Sequence, residues 1–439
     1  MLPRLSGTRL IVLGFTGFIV LGTLLLKLPE ANSGITWIDA LFEATSAVTV
    51  TGLQVVDPAT DFTNFGQGIV ASLIQVGGLG IMTVATTVAL LLGRKLGFRQ
   101  ARTVQQEMES PGSPRSILTL LGRVALFTVA LETIGAAILA ARFYAGNYDL
   151  ASSIGYGVFH AISAFCNAGF DIFKPSLGSL YAGDPVVNAV FIVLIVLGGL
   201  GFPVLVNLYS YPRTRRFTLH SKIVLITSAV LIVFGAGSVA VLEWTNPATL
   251  GGDPLGEKLL EALFQGVTPR TAGFSTLDYP DMRHSTLLLQ IVLMFIGTAP
   301  ASTGGGIKVT TLALIFLLFV AQARGREEIS VFHRQIPTSL VVKTLSVFAL
   351  AAFLVIFGTV ILIATENKGL LQALFHVTSA LGTVGLSLFS SAKLTFSGKL
   401  LTIFLMFAGR LGPITLILAL SERTRTRNYS YPEEEITIG

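Results

Sequence analysis

The sequence predicts an all-α membrane protein. Four parallel repeats of span, pore-helix and span give eight transmembrane helices with pseudo-fourfold symmetry around a central pore. Three observations predict it. Of 439 residues, 52% are hydrophobic and only 12% charged, about half the charge of an ordinary soluble domain. Apolar runs such as Val186–Leu208, Ile223–Leu242 and Leu340–Ala364 exceed the ~18 residues that cross a bilayer as a helix. One short semi-polar motif returns four times, at intervals of about 110 residues, too long a period for a solenoid.

The first repeat, 1–93, opens with Arg4 and Arg9 before an apolar stretch. No small-residue cleavage site follows and the stretch is long enough to span, so it reads as a retained first helix over 9–27. The motif "LFEATSAVTVTGL" (Leu41–Leu53) comes next, then a second span over 66–92. Repeat two, 94–215, places "VFHAISAFCNAGF" (Val158–Phe170) between spans 116–143 and 186–209. Repeat three, 216–325, places "LFQGVTPRTAGF" (Leu263–Phe274) between 221–244 and 284–320. Repeat four, 326–420, places "LFHVTSALGTVGL" (Leu374–Leu386) between 340–364 and 398–420, and a tail, 421–439, follows.

Each motif has an aromatic start, a Ser or Thr in the middle and a closing glycine: Gly52, Gly169, Gly273 and Gly385. The semi-polar segment before each glycine is too short to cross. At 1.5 Å per residue it reaches about halfway through the ~30 Å core. Backbone that turns at membrane depth must be covered by protein or wetted. Four such turns can share one axis, with glycine carbonyls free of side chains and the negative ends of the half-helices facing the centre. That arrangement favours a dehydrated monovalent cation. One glycine alone would read equally well as a packing or turn residue; the recurrence argues against that. Glu43, His160 and His376 follow the aromatic starts. They line the outer mouth or, the more ordinary role, anchor the half-helices to neighbouring loops.

Charge fixes the expected orientation. The loops 93–123, 211–222 and 322–343 with both termini hold 19 of the 30 Lys and Arg but 8 of the 24 acids. By the positive-inside rule both termini are cytoplasmic, which accounts for the basic balance without nucleic acid. The loops and the "EEE" tail, Glu433–Glu435, are solvated surface or docking surface. The single Cys166 excludes an intramolecular disulfide and a cysteine metal cluster. Left inside the spans are Lys308, Arg410 and Glu132.

The second spans share glycine-rich centres: "QVGGLGIM" (Gln75–Met82), "VLGGLGFP" (Val196–Pro203), "GTAPASTGGGIK" (Gly297–Lys308) and "FAGRLGPI" (Phe407–Ile414). In repeats one, two and four the glycines read as helix packing. In repeat three, Ala299, Pro300, Ala301, Ser302, Thr303, Gly304, Gly305 and Gly306 do not sustain a helix. A broken helix with a loop beside the glycines is expected. Arg410, near the middle of its span, is costly there. It snorkels, pairs with Glu132, or forms a barrier to cations beside that loop. Lys308 assists the barrier or holds loop carbonyls.

The motifs "TVTG", "CNAG", "RTAG" and "GTVG" (Thr49–Gly52, Cys166–Gly169, Arg270–Gly273, Gly382–Gly385) resemble the Trk/Ktr/HKT superfamily of potassium transporters over nearly the whole chain. The absence of extra helices before the first repeat looks most like the membrane (B) subunit of Ktr-type uptake systems. The resemblance implies a K⁺ selectivity filter at Val50, Thr51, Gly52, Asn167, Ala168, Gly169, Thr271, Ala272, Gly273, Thr383, Val384 and Gly385. It implies a gate at 299–306 with Lys308 and Arg410. It also implies a homodimer in the cell membrane, with nucleotide bound on a cytoplasmic regulatory ring (a Ktr A-type subunit) and no covalently bound cofactor in this chain. Four glycines, with no serine at the first position, resemble the potassium-permeable pattern; sodium as a second ion stays open. The other classes weighed are a secondary transporter of a small solute or Na⁺-coupled cation symporter, disfavoured by parallel repeats and few intramembrane charges, and an enzyme, for which no Walker loop, HExxH or nucleophile motif is found.

Overall fold

The computed structural model describes residues 7–80, 114–326 and 328–412, with side chains from 9 and, after the gap, from 122. The tail, most of the loop 93–123 and the expected span ends 81–92 and 413–420 lie outside the described residues.

The first quarter gives α1 (Gly7–Leu26), α2 (Trp37–Thr49) and α3 (Asn64–Leu79). The second gives α4 (Pro114–Ala145), α5 (Leu150–Phe165), a short α6 (Leu177–Tyr181), α7 (Pro185–Gly199) and α8 (Phe202–Thr214). The third gives α9 (Leu219–Glu243), α10 (Leu255–Val267), α11 (His284–Phe295) and α12 (Val309–Ala323). The fourth gives α13 (Thr338–Glu366), α14 (Leu370–Gly382) and α15 (Phe396–Leu411). A two-stranded hairpin, β1 (Ser330–Val331) with β2 (Arg334–Gln335), joins the last two quarters.

Among the described residues, four helices are long and apolar enough to cross a membrane: Arg9–Leu26, Gly122–Ala145, Leu219–Glu243 and Thr338–Glu366. They coincide with the four expected first spans. Their outward faces carry large apolar side chains, among them Leu24, Leu126, Val233 and Phe357, as lipid contact requires. The motif segments form α2, α5, α10 and α14, of 13, 16, 13 and 13 residues. At ~1.5 Å per residue none crosses ~30 Å.

Packing follows one rule in every quarter. The half-length helix packs on the long helix before it: α2 on α1, α5 on α4, α10 on α9, α14 on α13. The helix after each motif packs on the half-length helix of the next quarter: α3 on α5, α7 on α10, α11 on α14, α15 on α2. The last contact closes a cycle.

The second spans differ from expectation. The segment 186–209 is not one helix: α7 and α8 meet at 102°. Gly201, at φ +86°, follows α7 in a backbone conformation that side chains disfavour. A methyl there would also lie 2.5 Å from the Pro300 carbonyl oxygen. The matching Gly80 and Gly412 follow the ends of α3 and α15 at φ +85° and +79°. These glycines therefore terminate helices, a role that packing alone did not predict. Packing does explain their neighbours: methyls on Gly77, Gly198 and Gly409 would collide with the carbonyl oxygens of Val48, Phe165 and Leu381, at 2.1, 1.9 and 1.9 Å. In the third quarter Ile296–Lys308 separates α11 from α12 as expected, closed by a parallel bridge between Ile296 and Ile307.

Candidate functional site: a ring of four glycine loops and the loop packed against it

Each half-length helix ends in the same backbone signature. A non-glycine residue with positive φ stands two places before the motif glycine: Val50 (+56°), Asn167 (+58°), Thr271 (+70°) and Thr383 (+52°). The glycines follow at +89°, +67°, +77° and +95°. Left-handed backbone costs an L-residue about 1–2 kcal/mol, and β-branched residues such as Val50, Thr271 and Thr383 are clear outliers there. Such strain persists only where the surroundings hold it.

The holding groups are visible. The mid-motif hydroxyl of each helix bonds its own loop. Ser46 Oγ accepts from Gly52 N at 3.1 Å and Ser379 Oγ from Gly385 N at 3.1 Å. Ser163 Oγ accepts from Phe170 N at 3.0 Å and donates to Phe170 O at 2.9 Å, and Thr268 Oγ1 donates to Phe274 O. The residue after each aromatic start ties down the outgoing chain. Glu43 accepts from Val55 N at 2.7 Å. His160 lies 2.9 Å from Asp171. Gln265 bonds Ser275 and Tyr279, each at 2.9 Å, and His376 bonds Ser387 at 3.3 Å and Thr402 at 3.1 Å. All four are buried, so they are anchors and not mouth residues.

The loops meet in order. A methyl at Gly52 would lie 2.5 Å from the Ala168 carbonyl oxygen, at Gly169 2.9 Å from that of Ala272, at Gly273 2.5 Å from that of Val384, and at Gly385 2.4 Å from that of Thr51. Each glycine thus faces the peptide oxygen preceding the glycine of the next loop, and the cycle closes. Thr51, Ala168, Ala272 and Val384 are fully buried. The Asn167 amide and Thr271 hydroxyl bond each other at 3.2 Å. The helix C-termini at Thr49, Phe165, Val267 and Gly382 bring partial negative charge to the ring. Among the described residues no group of three or more His, Cys, Asp or Glu could hold a metal ion.

The 296–308 loop packs directly on the ring. Gly305 N donates to Thr383 Oγ1 at 3.0 Å. A methyl at Gly304 would strike Thr271 Oγ1 at 2.1 Å, and one at Gly305 would strike Thr383 Oγ1 at 2.4 Å. The loop is tied to α7 through Ala299 N to Gly199 O (3.0 Å) and Thr303 N to Gly198 O (3.2 Å), and to α8 through Phe202 N to Ala301 O (2.9 Å). Ser302 Oγ lies 2.8 Å from Thr298 Oγ1. Arg410 donates to Thr303 O and to Gly77 O, with Gly78 O at 3.4 Å. Lys308 Nζ donates to Gly304 O at 2.8 Å, so it holds a loop carbonyl. Glu132 meets other partners: it accepts from Gln75 Nε2 at 3.2 Å, and the Cys166 thiol is 3.9 Å away.

Every residue selected from the sequence for a filter or a gate therefore lies in the ring or in the loop and its clamps. Two features escaped the sequence. The ring-holding hydroxyls were visible as a recurring Ser or Thr without an assigned partner. Arg270 is not among the charges the sequence leaves inside the spans, yet it is only 6% exposed, turned inward to Ser228 on α9.

The sequence matches the TrkH cation transport protein family over residues 7–429. The chain belongs to this family. Among Trk/Ktr proteins, it is 40% identical over 437 residues to Ktr system potassium uptake protein B of Bacillus subtilis, covering 99% of this chain and 97% of that protein. It is 36% identical to potassium/sodium uptake protein NtpJ of Enterococcus hirae, covering 99% and 98%. The crystal structure of the potassium transporter TrkH from Vibrio parahaemolyticus superposes with a TM-score of 0.73 at 22% identity, over 96% of this chain and 86% of that one, a likeness of fold. The Trk/Ktr resemblance read from the four motifs is thereby met.

Proposed function

We propose that the chain is the membrane subunit of a potassium-uptake system and that its four-glycine ring is the selectivity filter. The observation that carries the reading is the closed cycle of carbonyl-to-glycine approaches, repeated four times with one φ signature. Such a ring offers peptide oxygens in place of an ion's water and carries glycine, with no side chain, at each close approach between loops. Four modules, 1–93, 94–215, 216–325 and 326–420, surround it, with eight crossings and cytoplasmic termini by the charge rule. In the second and third modules the second crossing is built from two helices, α7 with α8 and α11 with α12.

The 299–306 loop is the gate. Arg410 clamps it to α3 across the molecule and places a positive charge against the cation path, and Lys308 fastens its far end. Ions move down their electrochemical gradient. A negative-inside potential contributes about 2.3 kcal/mol per charge per 100 mV, so inward movement needs no hydrolysis by this chain. Two chains form a homodimer, each with its own pore, and a cytoplasmic nucleotide-binding ring regulates them. The support for that partner is likeness to a protein named as one component of a Ktr system. Sodium is the second cation to examine, because one relative is named for both ions.

The test is rubidium uptake into vesicles holding the purified chain. Saturable uptake that persists with a protonophore, under a potassium-set voltage, is expected. Uptake that vanishes with the protonophore would make the chain a coupled transporter instead. Co-purification with a nucleotide-binding protein tests the partner.

A further inference from the structure

Three of the four ring segments carry a neutral residue three places before the glycine: Thr49, Cys166 and Gly382. The third carries Arg270. The loop geometry does not require it, since the other segments reach the same φ pattern without a charge. Arg270 is 6% exposed. Its guanidinium donates to Ser228 O at 3.3 Å and Ser228 Oγ at 3.1 Å, and Nε is buried without a partner. Among the described residues no carboxylate lies within ion-pair distance of it. It borders a small cavity with Ile195, Val196 and Gly199 in the last turn of α7, Val267 at the end of α10, and Thr298 of the gate loop.

The C-terminal ends of α7 and α10 therefore border the same small cavity as Arg270. Their partial negative charge, about half an electron each, accounts for its tolerance in an apolar interior. A positive charge three residues before Gly273 also offsets part of the field that α10 directs at the ring. The other three half-length helices end on neutral residues and keep theirs.

Resting on the filter reading, we propose that Arg270 is a fixed positive charge behind the third ring segment that weakens the ring's hold on its cation and thereby speeds release. It is a residue that sets affinity against throughput, acting through the field and not by contact. Arg410 differs in kind: it clamps a loop that can part from it, whereas Arg270 is built into the ring's own support.

The test measures half-saturation and maximal rate of rubidium uptake in vesicles. Arg270→Gln should lower the half-saturation concentration about fivefold, the change that roughly 1 kcal/mol of removed repulsion gives, and lower the maximal rate. Arg270→Lys, which keeps the charge, should restore both. Ser228→Asp leaves the arginine in place and sets a carboxylate against it. It should act like Arg270→Gln and decides the matter if that variant does not fold. Unchanged half-saturation in either folded neutralising variant overturns the proposal, as does an equal shift in Arg270→Lys. No uptake by the unmodified chain strikes the conduction reading itself, a separate failure.

Discussion

The glycine ring and the layer packed against it obey different rules. In the ring, four loops share one φ signature and one carbonyl-to-glycine approach, and each is tethered by a hydroxyl of its own helix, to the glycine in the first and fourth and to the phenylalanine after it in the second and third. In the adjoining layer the matching positions are Gly78, Gly199, Thr298 and Arg410. There the third helix opens into a loop, where the others end on a positive-φ glycine. On the proposed reading, a ring that presents equal oxygens to one ion is held to near-symmetry. A layer that opens and closes, on the same reading, needs an element unlike its neighbours. Symmetry fits selection, and its local breach fits control.

The largest expected effect comes from breaking the ring. Gly385→Ser puts a Cβ 2.4 Å from the Thr51 oxygen at φ +95°, whereas Gly169→Ser puts one 2.9 Å from the Ala272 oxygen at φ +67°. Both should weaken rubidium-over-sodium discrimination in vesicles, Gly385→Ser by about tenfold or more, since ~1.4 kcal/mol of strain or clash suffices. Gly169→Ser should be the milder of the two. Unchanged selectivity in both variants removes these glycines from the filter.

The second effect comes from the layer. Arg410→Ala frees the Thr303, Gly77 and Gly78 oxygens at once and removes a charge that costs at least ~2.5 kcal/mol at mid-membrane. Basal rubidium flux should rise several-fold with ring selectivity intact. If flux falls in a normally folded variant, the clamp is not a barrier.

These contrasts also explain what the sequence disclosed. The long spans were legible because lipid demands uninterrupted apolar runs. The ring glycines were legible because one geometric need, imposed four times, leaves four matching motifs. Gly80, Gly201 and Gly412 were not, because a glycine that packs and a glycine that ends a helix look alike until φ is known. Arg270 was hidden for a different reason. Its neighbours in sequence resemble an outer loop, and only the fold turns the side chain inward to Ser228.

A third prediction concerns the tethers. Ser379→Ala leaves Gly385 N without its 3.1 Å acceptor and should cost about 1 kcal/mol, read as a lower unfolding temperature of the purified chain and a few-fold loss of ion discrimination. Ser46→Ala should match it, because Gly52 N is held at the same distance. A clear inequality between the two would show that the ring is less symmetric in energy than in geometry.

The smallest effect tests how the cycle closes. Lys399, on α15, pairs with Asp39, on α2, at 2.7 Å, each side chain about one-seventh exposed. The pair spans 360 residues of sequence and joins the last quarter to the first. Partly exposed ion pairs contribute up to about 1 kcal/mol, so Lys399→Met alone should change stability little. A double-mutant cycle with Asp39→Asn isolates the coupling. A coupling of a few tenths of a kcal/mol that fades with added salt is expected, because α15 and α2 also pack against each other and share the load. A coupling well above ~1 kcal/mol would mean that the cycle is fastened by this one bond, and Lys399→Met should then loosen the ring at Gly385 and Gly52 as surely as a change in the loops themselves.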